Sequence, residues 1–198
     1  MVTSGQLESE LKEAFPEFTV SIDEGRFTVT LQRRVGDRSV VVELDACNQD
    51  TWGDEEGGEE EDALSEQPHQ EEEAVHVLSA TVTVSRAGKP HKLLCSIGVP
   101  VEDAAGVEVT GVSVIPSEWS VMDAENSTLY APPVYSELDV GLQSSFLKFL
   151  HDHGIDDEFA DGVRAVADRK EQFEYVRWLK GVHAVVEGTA AGPNVIDG

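Results

Sequence analysis

The six histidines and two cysteines are the residues of this sequence whose side chains most often bind metals or act as nucleophiles. His151 and His153 lie two residues apart on a predicted helix, where side chains at that spacing point to different sides. Cys47 and Cys95 have no close spacing to one another or to a histidine, so we expect no structural zinc site. We interpret the histidines as surface residues, and Cys95, in an apolar strand pattern, as a small core residue.

Carboxylates are far more numerous, with 39 acidic against 14 basic residues and a formal net charge of −25. A general acid needs a pKa raised by burial, whereas these carboxylates cluster in solvated segments. A hydrolase built on surface carboxylates is therefore the weakest of the alternative functions. The sequence has no Gly-rich phosphate loop, nucleophile elbow or His-Glu-x-x-His motif. We expect no catalytic residue and no cofactor.

An acidic stretch lies inside the chain, between two segments with strand-like alternation. From Trp52 to Glu73 it contains eleven acidic residues and no Lys or Arg. These residues are Asp54, Glu55, Glu56, Glu59, Glu60, Glu61, Asp62, Glu66, Glu71, Glu72 and Glu73. Composition alone also fits a solvated, disordered connection. Net negative charge destabilises a compact protein through self-repulsion, so a purely structural connection gives no reason for so many carboxylates. We therefore predict that the stretch has a function of its own, which is to bind Lys/Arg-rich proteins.

The same charge bears on two other classes of ligand. Asp45 to Asp54 loosely resembles a calcium loop, but Cys47 occupies the second ligand position and the glycine is misplaced. A tuned EF-hand is excluded, and a calcium-buffering protein with weak, diffuse sites stays open as an alternative function. Direct nucleic-acid binding is not expected, because an acidic surface repels phosphate backbones.

Hydrophobic periodicity predicts the scaffold that carries these residues. Thr3 to Gln6 is typical of a capping box, and Pro16 ends the helix that follows. Alternating apolar residues then predict a hairpin around Val35 to Asp37, with Phe27 on its buried face.

More strands are predicted after the acidic stretch. Gly111 is a plausible bulge, and a segment from Leu129 to Tyr135 is predicted as an edge or strand end. Short connections indicate antiparallel pairing. A helix then begins at Ser136, which forms a capping signature with Asp139.

A last helix is predicted from about Asp156 to Glu187, roughly 45 Å long at 1.5 Å per residue. Its apolar face moves along its length. The first set is Phe159, Val163, Val166 and Phe173, and the second, well round from it, is Tyr175, Trp178, Leu179, Val182 and Val186. One small core does not explain two faces, whereas a second helix or another subunit would.

The order of elements predicts an α+β fold, with helices segregated from an antiparallel sheet. We expect one domain over residues 1–198, with the acidic loop at about 48–74 and a loose tail at about 188–198. The sequence has no apolar run long enough to span a membrane and no signal-peptide core, so no membrane insertion is expected.

The C-terminal part of the sequence resembles the signature of the mitochondrial acidic matrix protein family, also called the mitochondrial glycoprotein family. Its mammalian member is known as the receptor for the globular heads of complement C1q. The resemblance is carried by Leu138-Asp139, Leu142-Gln143, Phe146, Leu150, Gly154-Ile155-Asp156 and KEQFEYVRWL from Lys170 to Leu179. It implies an N-terminal helix, a highly twisted antiparallel sheet of about seven strands and two closing helices, in a doughnut-shaped homotrimer.

The resemblance also implies a function. It indicates a non-enzymatic adaptor or chaperone of the mitochondrial matrix that binds basic proteins and supports RNA processing, including RNA editing, or translation. The plain start at Met1 fits a protein whose transit peptide has been removed. We also expect Tyr175 and Trp178, next to Leu179, to be buried packing anchors near the N-terminal helix, in contact with Leu7 or Leu11.

Overall fold

In a computed structural model, the described residues are 4–52, 75–101, 106–126, 128, 130 and 132–188. Helix α1 (Ser4–Ala14) is followed by strands β1 (Thr19–Ile22), β2 (Thr28–Val35), β3 (Arg38–Trp52), β4 (Val75–Arg86), β5 (His91–Pro100) and β6 (Glu108–Pro116). Helices α2 (Val121–Glu125), α3 (Val140–His151) and α4 (Asp157–Glu187) come next, with a short 3-10 turn at Tyr135–Glu137 before α3.

The strands form one antiparallel sheet in the order β1-β2-β3-β4-β5-β6, so each strand pairs with its neighbours in sequence. The predicted α+β fold is confirmed. The sheet has six strands within the described residues, not about seven. Strand β1 was not predicted, and the predicted segment at 129–135 is not a strand at its described positions. Pro132 and Pro133 have no N–H to donate to a ladder, which disfavours a strand there.

The predicted hairpin is confirmed as β2 and β3. Val35 pairs with Arg38, so the turn contains two residues, and Gly36 has a φ of 62°. Such a turn favours glycine because it requires a positive φ. The prediction for Phe27 is wrong: its side chain is 59% exposed. Strand β2 begins one residue later, so the alternation that buries Val29 does not extend to Phe27.

The predicted bulge near Gly111 is also confirmed. Ser96 of β5 pairs with Gly111, whereas the next residue, Ile97, pairs with Val109. One extra residue on β6 therefore shifts the register. As a result, Val109 and Val112 both pack against the core, although regular alternation would place them on opposite faces.

The core lies between one face of the sheet and the helices α1 and α4. Its buried residues include Val29, Leu31, Val40, Val42, Leu44, Val82, Cys95 and Ile97 of the sheet, and Leu7, Leu11, Phe159, Val163 and Val166 of the helices. Helix α1 approaches α4 closely at Gly162. A Cβ there would lie 2.7 Å from Cε1 of Phe15 and 3.1 Å from the carbonyl oxygen of Ala14.

Aspartates cap the last two long helices. The N-cap of α3 is Asp139, whose carboxylate accepts hydrogen bonds from the N–H groups of Gly141 (2.9 Å) and Leu142 (3.3 Å). The prediction that Ser136 begins this helix is wrong, because Ser136 lies in the 3-10 turn. Helix α4 was predicted to begin at about Asp156, and this residue is its N-cap, whose carboxylate accepts from the N–H of Phe159 at 3.0 Å.

Candidate interaction surfaces

The acidic stretch leaves and re-enters the sheet at one place. After an irregularity between Leu44 and Gln49, the β3–β4 ladder continues to the pair Trp52–Val75. Directly opposed residues in an antiparallel pair have Cα atoms about 4.5–5.5 Å apart, so the two ends of the stretch are neighbours. The eleven predicted partner-binding carboxylates, from Asp54 to Glu73, lie outside the described residues.

Further carboxylates lie at this same end of the sheet. Asp23 and Glu24 form part of the exposed turn between β1 and β2. On β3, Glu43 is exposed and Asp45 half-buried, on the face opposite the buried Leu44. Because Asp45 pairs with Thr28 at the start of β2, its carboxylate lies near the β1–β2 turn. The described part of this end thus carries four carboxylates, together with Arg26, which lies 4.0 Å from the carboxylate of Asp23.

The opposite end of the sheet carries basic side chains. The residues at or beside the β2–β3 and β4–β5 turns include Arg34, Arg38, Arg86, Lys89 and Lys92. Arg38 and Arg86 are directly paired across β3 and β4. Arg86 donates to the carboxylate of Asp37, and this hydrogen bond lowers the pKa of Asp37. These basic side chains lie at the end of the sheet opposite the one where the acidic stretch is attached.

The sequence KEQFEYVRWL contains an ion-pair network that the sequence analysis missed. Lys170 is fully buried, and its Nζ lies 2.6 Å from Oε1 of Glu174 and 3.1 Å from the carbonyl oxygen of Asp23. Glu174 accepts from the N–H of Gly25 through both oxygens at 3.1 Å, and from Arg177 at 3.4 Å. This network attaches the β1–β2 turn to α4. Lys170, Glu174 and Arg177 are spaced i, i+4 and i+7, which places the three charges on one face of the helix, so the sequence could have revealed the network.

The predicted packing anchors divide into two groups. Leu7 and Leu11 are fully buried, as predicted. Tyr175, Trp178 and Leu179 are 55%, 61% and 42% exposed, so the prediction that the two aromatic residues are buried anchors is wrong for the single chain. At 100° per residue, their stripe lies roughly 140° round α4 from the face that packs on the core. The rings of Tyr175 and Trp178 stack on one another, with centroids 6.0 Å apart.

The prediction of surface histidines is wrong for His153, which is buried, and right for His151, which is exposed. Nδ1 of His153 lies 2.6 Å from the carbonyl oxygen of Phe149, to which it donates. Nε2 therefore accepts from Arg38 at 3.0 Å. With both nitrogens occupied, His153 has no lone pair for a metal. Its partner Arg38 is 115 residues away, which local sequence does not reveal.

We searched the described residues for a reactive nucleophile, a metal site and a membrane-spanning helix. Cys95 is buried as predicted, and burial raises the pKa of its thiol to about 12. Since the thiolate is the reactive form, Cys95 is a poor nucleophile. Within the described ranges, no group of three or more His, Cys, Asp or Glu side chains is placed to hold a metal ion. No helix in the same ranges is long and apolar enough to cross a membrane.

Comparisons with known proteins agree with this architecture. The model of the mitochondrial glycoprotein (MAM33) family matches residues 4–186. A search of curated proteins finds no match. Among solved structures, the p22 protein of Trypanosoma brucei has 18% identity and a TM-score of 0.62, with 92% of this chain and 96% of that chain covered. A Leishmania major protein of unknown function, described as a sequence homologue of human p32, has 14% identity and a TM-score of 0.57, with 91% and 97% covered.

Proposed function

The chain belongs to the mitochondrial glycoprotein family, and on that basis we propose that this acidic mitochondrial protein is a non-enzymatic, homotrimeric adaptor or chaperone. In this proposal it works in the matrix and binds Lys/Arg-rich proteins through the acidic stretch from Asp54 to Glu73. It supports RNA processing or translation through the proteins it binds.

The observation that carries the proposal is the pairing of Trp52 with Val75. Because Trp52 and Val75 are paired, both ends of the stretch are attached at the same end of the sheet. The eleven carboxylates are thereby attached to the end of the sheet that also carries Asp23, Glu24 and Glu43. Charges of one sign concentrated in one region attract a basic partner more strongly than the same charges spread over the surface.

A trimer would multiply this effect. Three copies would present three acidic stretches, and a basic protein that contacts more than one of them gains avidity without any new type of contact. RNA carries the same sign of charge as the protein, so electrostatics disfavours direct binding to its backbone. An effect on RNA is therefore expected to pass through basic RNA-binding proteins.

The test compares two variants with the unmodified protein. One lacks residues 55–73, and the other keeps the full length but carries Gln or Asn at all eleven acidic positions. The probe is a fluorescently labelled Lys/Arg-rich peptide, titrated at several salt concentrations and followed by anisotropy. We expect both variants to bind at least about tenfold more weakly at low salt, a loss of about 1.4 kcal/mol or more. The difference should shrink as salt screens exposed charges.

The full-length neutral variant separates charge from loop length. If it binds like the unmodified protein while the deletion does not, then the length of the stretch matters and its charge does not. Unchanged affinity and salt dependence in both variants would contradict the proposed role of the stretch and leave it as a solvated connection.

A further inference from the structure

The turn between α3 and α4, residues 152–156, is held against the β2–β3 hairpin by two arginines. Arg38 of β3 lies 3.0 Å from Nε2 of His153, and its guanidinium also lies over the ring of Phe149, 5.3 Å from the centroid. The guanidinium of Arg33, on β2, packs so closely on Gly154 that it leaves no room for a Cβ there. Two positive charges of the hairpin therefore meet one turn of five residues.

The hydrogen bonds of His153 require a neutral ring. Nδ1 lies 2.6 Å from the carbonyl oxygen of Phe149, and because a carbonyl oxygen only accepts, Nδ1 carries a proton. The guanidinium of Arg38 only donates, so Nε2 accepts from it and has no place for a second proton. The ring is 2% exposed and stacks on Phe149, with centroids 4.2 Å apart. The contact with Arg38 therefore exists only while His153 is uncharged.

The charged groups around this ring do not favour a proton on it. Within the described residues, His153 forms no ion pair with a carboxylate, and the carboxylates of the surrounding segments have other partners. These are Asp152 with Lys148 (3.0 Å), Glu17 with Arg33 (2.7 Å), Asp37 with Arg86, and Asp156 with the N–H of Phe159 (3.0 Å). The remaining ionisable side chains of the hairpin and the turn, Arg34 and His151, are exposed and add no negative charge.

We propose that His153 makes the attachment of the α3–α4 turn to the β2–β3 hairpin sensitive to acid. A histidine in an unfolded chain takes up a proton below about pH 6.5. In the folded chain the same proton breaks the hydrogen bond from Arg38 and places a second positive charge beside the guanidinium. Below that pH the unfolded chain binds more protons at this residue, so stability is lost as the pH falls. This property is separate from the proposed binding of basic proteins.

Helix α3 is the element that this loss loosens first. Leu150 is the one buried side chain among its twelve residues, so apolar packing holds this helix at few points. Segments with few buried contacts open at a lower cost than the rest of a fold. The turn at 152–156 directly follows α3 and is fixed to the hairpin through His153. Protonation of His153 therefore makes it easier for α3 to detach from the sheet.

The test uses two variants that cannot make the charged contact and one matched control. His153→Gln offers an amide oxygen that accepts from Arg38 but takes up no proton. Arg38→Gln offers an amide that donates to a neutral ring or accepts from a charged one, so it fits both forms of His153. The control, His151→Gln, removes an exposed histidine two residues away. Thermal unfolding is followed by circular dichroism at pH 7.5 and pH 5.5, at one fixed protein concentration.

The expected difference follows from the linkage between folding and proton binding. One pH unit below 6.5, a proton excluded from the folded state changes the folding equilibrium by about tenfold. For a chain of this size, that lowers the midpoint of thermal unfolding by about 3–6 °C. Between the two pH values, the unmodified protein and His151→Gln should therefore lose about 3–6 °C more than His153→Gln. Arg38→Gln should lose no more than His153→Gln does. Proton uptake by the carboxylates is common to all four proteins and cancels in the comparison.

The proposal is overturned if His153→Gln loses as much on acidification as the unmodified protein, or if His151→Gln removes the difference. An NMR titration of the folded, unmodified protein decides the matter independently of how well any variant folds. We expect the ring of His153 to keep the signals of a neutral imidazole at a pH where His151 has taken up its proton. A ring of His153 that titrates together with His151 overturns the proposal as well.

Discussion

The buried pair Lys170–Glu174 allows a sharp prediction of stability. Replacing Glu174 with Ala leaves the ammonium group of Lys170 fully buried, with the carbonyl oxygen of Asp23 as its remaining hydrogen-bond partner in the network. It also removes the acceptor of the Gly25 N–H. Removing one partner of a buried ion pair costs about 3–5 kcal/mol. For a chain of this size, each kcal/mol shifts the midpoint of thermal unfolding by about 2–4 °C, so we expect a fall of roughly 6–20 °C.

The reverse change should cost less. Lys170→Met leaves Glu174 with the Gly25 N–H and the Arg177 guanidinium as donors, and Met fills the buried space with an apolar chain. We expect a loss of about 1–2 kcal/mol, close to that of a hydrogen bond. The double variant should cost less than the sum of the two by about 1–3 kcal/mol, because it leaves no buried charge without a partner.

Urea unfolding followed by circular dichroism, at one fixed protein concentration, measures these differences. The control is Glu171→Ala, which removes an exposed carboxylate from the same helix. The reasoning is refuted if Glu174→Ala is no more destabilising than Glu171→Ala, or if the two single changes are additive in the double variant.

Three further changes test other parts of the fold. Gly162→Val should destabilise the protein by about 1–3 kcal/mol in urea unfolding, because the added atoms meet Phe15 and the backbone of α1. Asp139→Ala should cost about 1 kcal/mol in the same assay, since it removes the N-cap acceptor of α3, and Asp139→Asn should restore most of the loss. In a Cys47→Ser background, a thiol reagent at pH 8 should modify Cys95 only after unfolding, because burial holds the pKa of the thiol at about 12. Fast modification of the folded protein would contradict that assignment.

Local patterns predicted the elements whose signals lie within a few residues of one another. The hairpin around Val35 to Asp37, the bulge at Gly111 and the start of α4 at about Asp156 each depend on neighbouring residues, and all three are observed. Strand β1 was missed because it has four residues, so its half-buried positions, Val20 and Ile22, are too few to show a period of two.

The misplaced residues depend on partners far along the chain. His153 is buried because Arg38, 115 residues earlier, supplies a hydrogen bond. Lys170 is buried because a backbone carbonyl 147 residues earlier and a carboxylate one turn away satisfy its ammonium group. Residue type alone predicts exposure for both, since charged and polar groups enter a core only when they are paired. Trp178 was mispredicted for the opposite reason. Its apolar side chain predicts burial, but the described residues of the chain leave it exposed.

The segment from Lys170 to Leu179 shows why α4 changes its apolar face at this point. Its inward positions, Lys170 and Glu174, are occupied by an ion pair that fastens the β1–β2 turn, so this part of the helix is held in the domain by polar contacts as well as apolar ones. The apolar side chains of Trp178 and Leu179 lie on the other side of the helix, where they are exposed. A helix with one continuous apolar face would bury these residues against its own core. Alternating the two kinds of side chain within three turns lets one helix close the fold and still carry an exposed apolar surface.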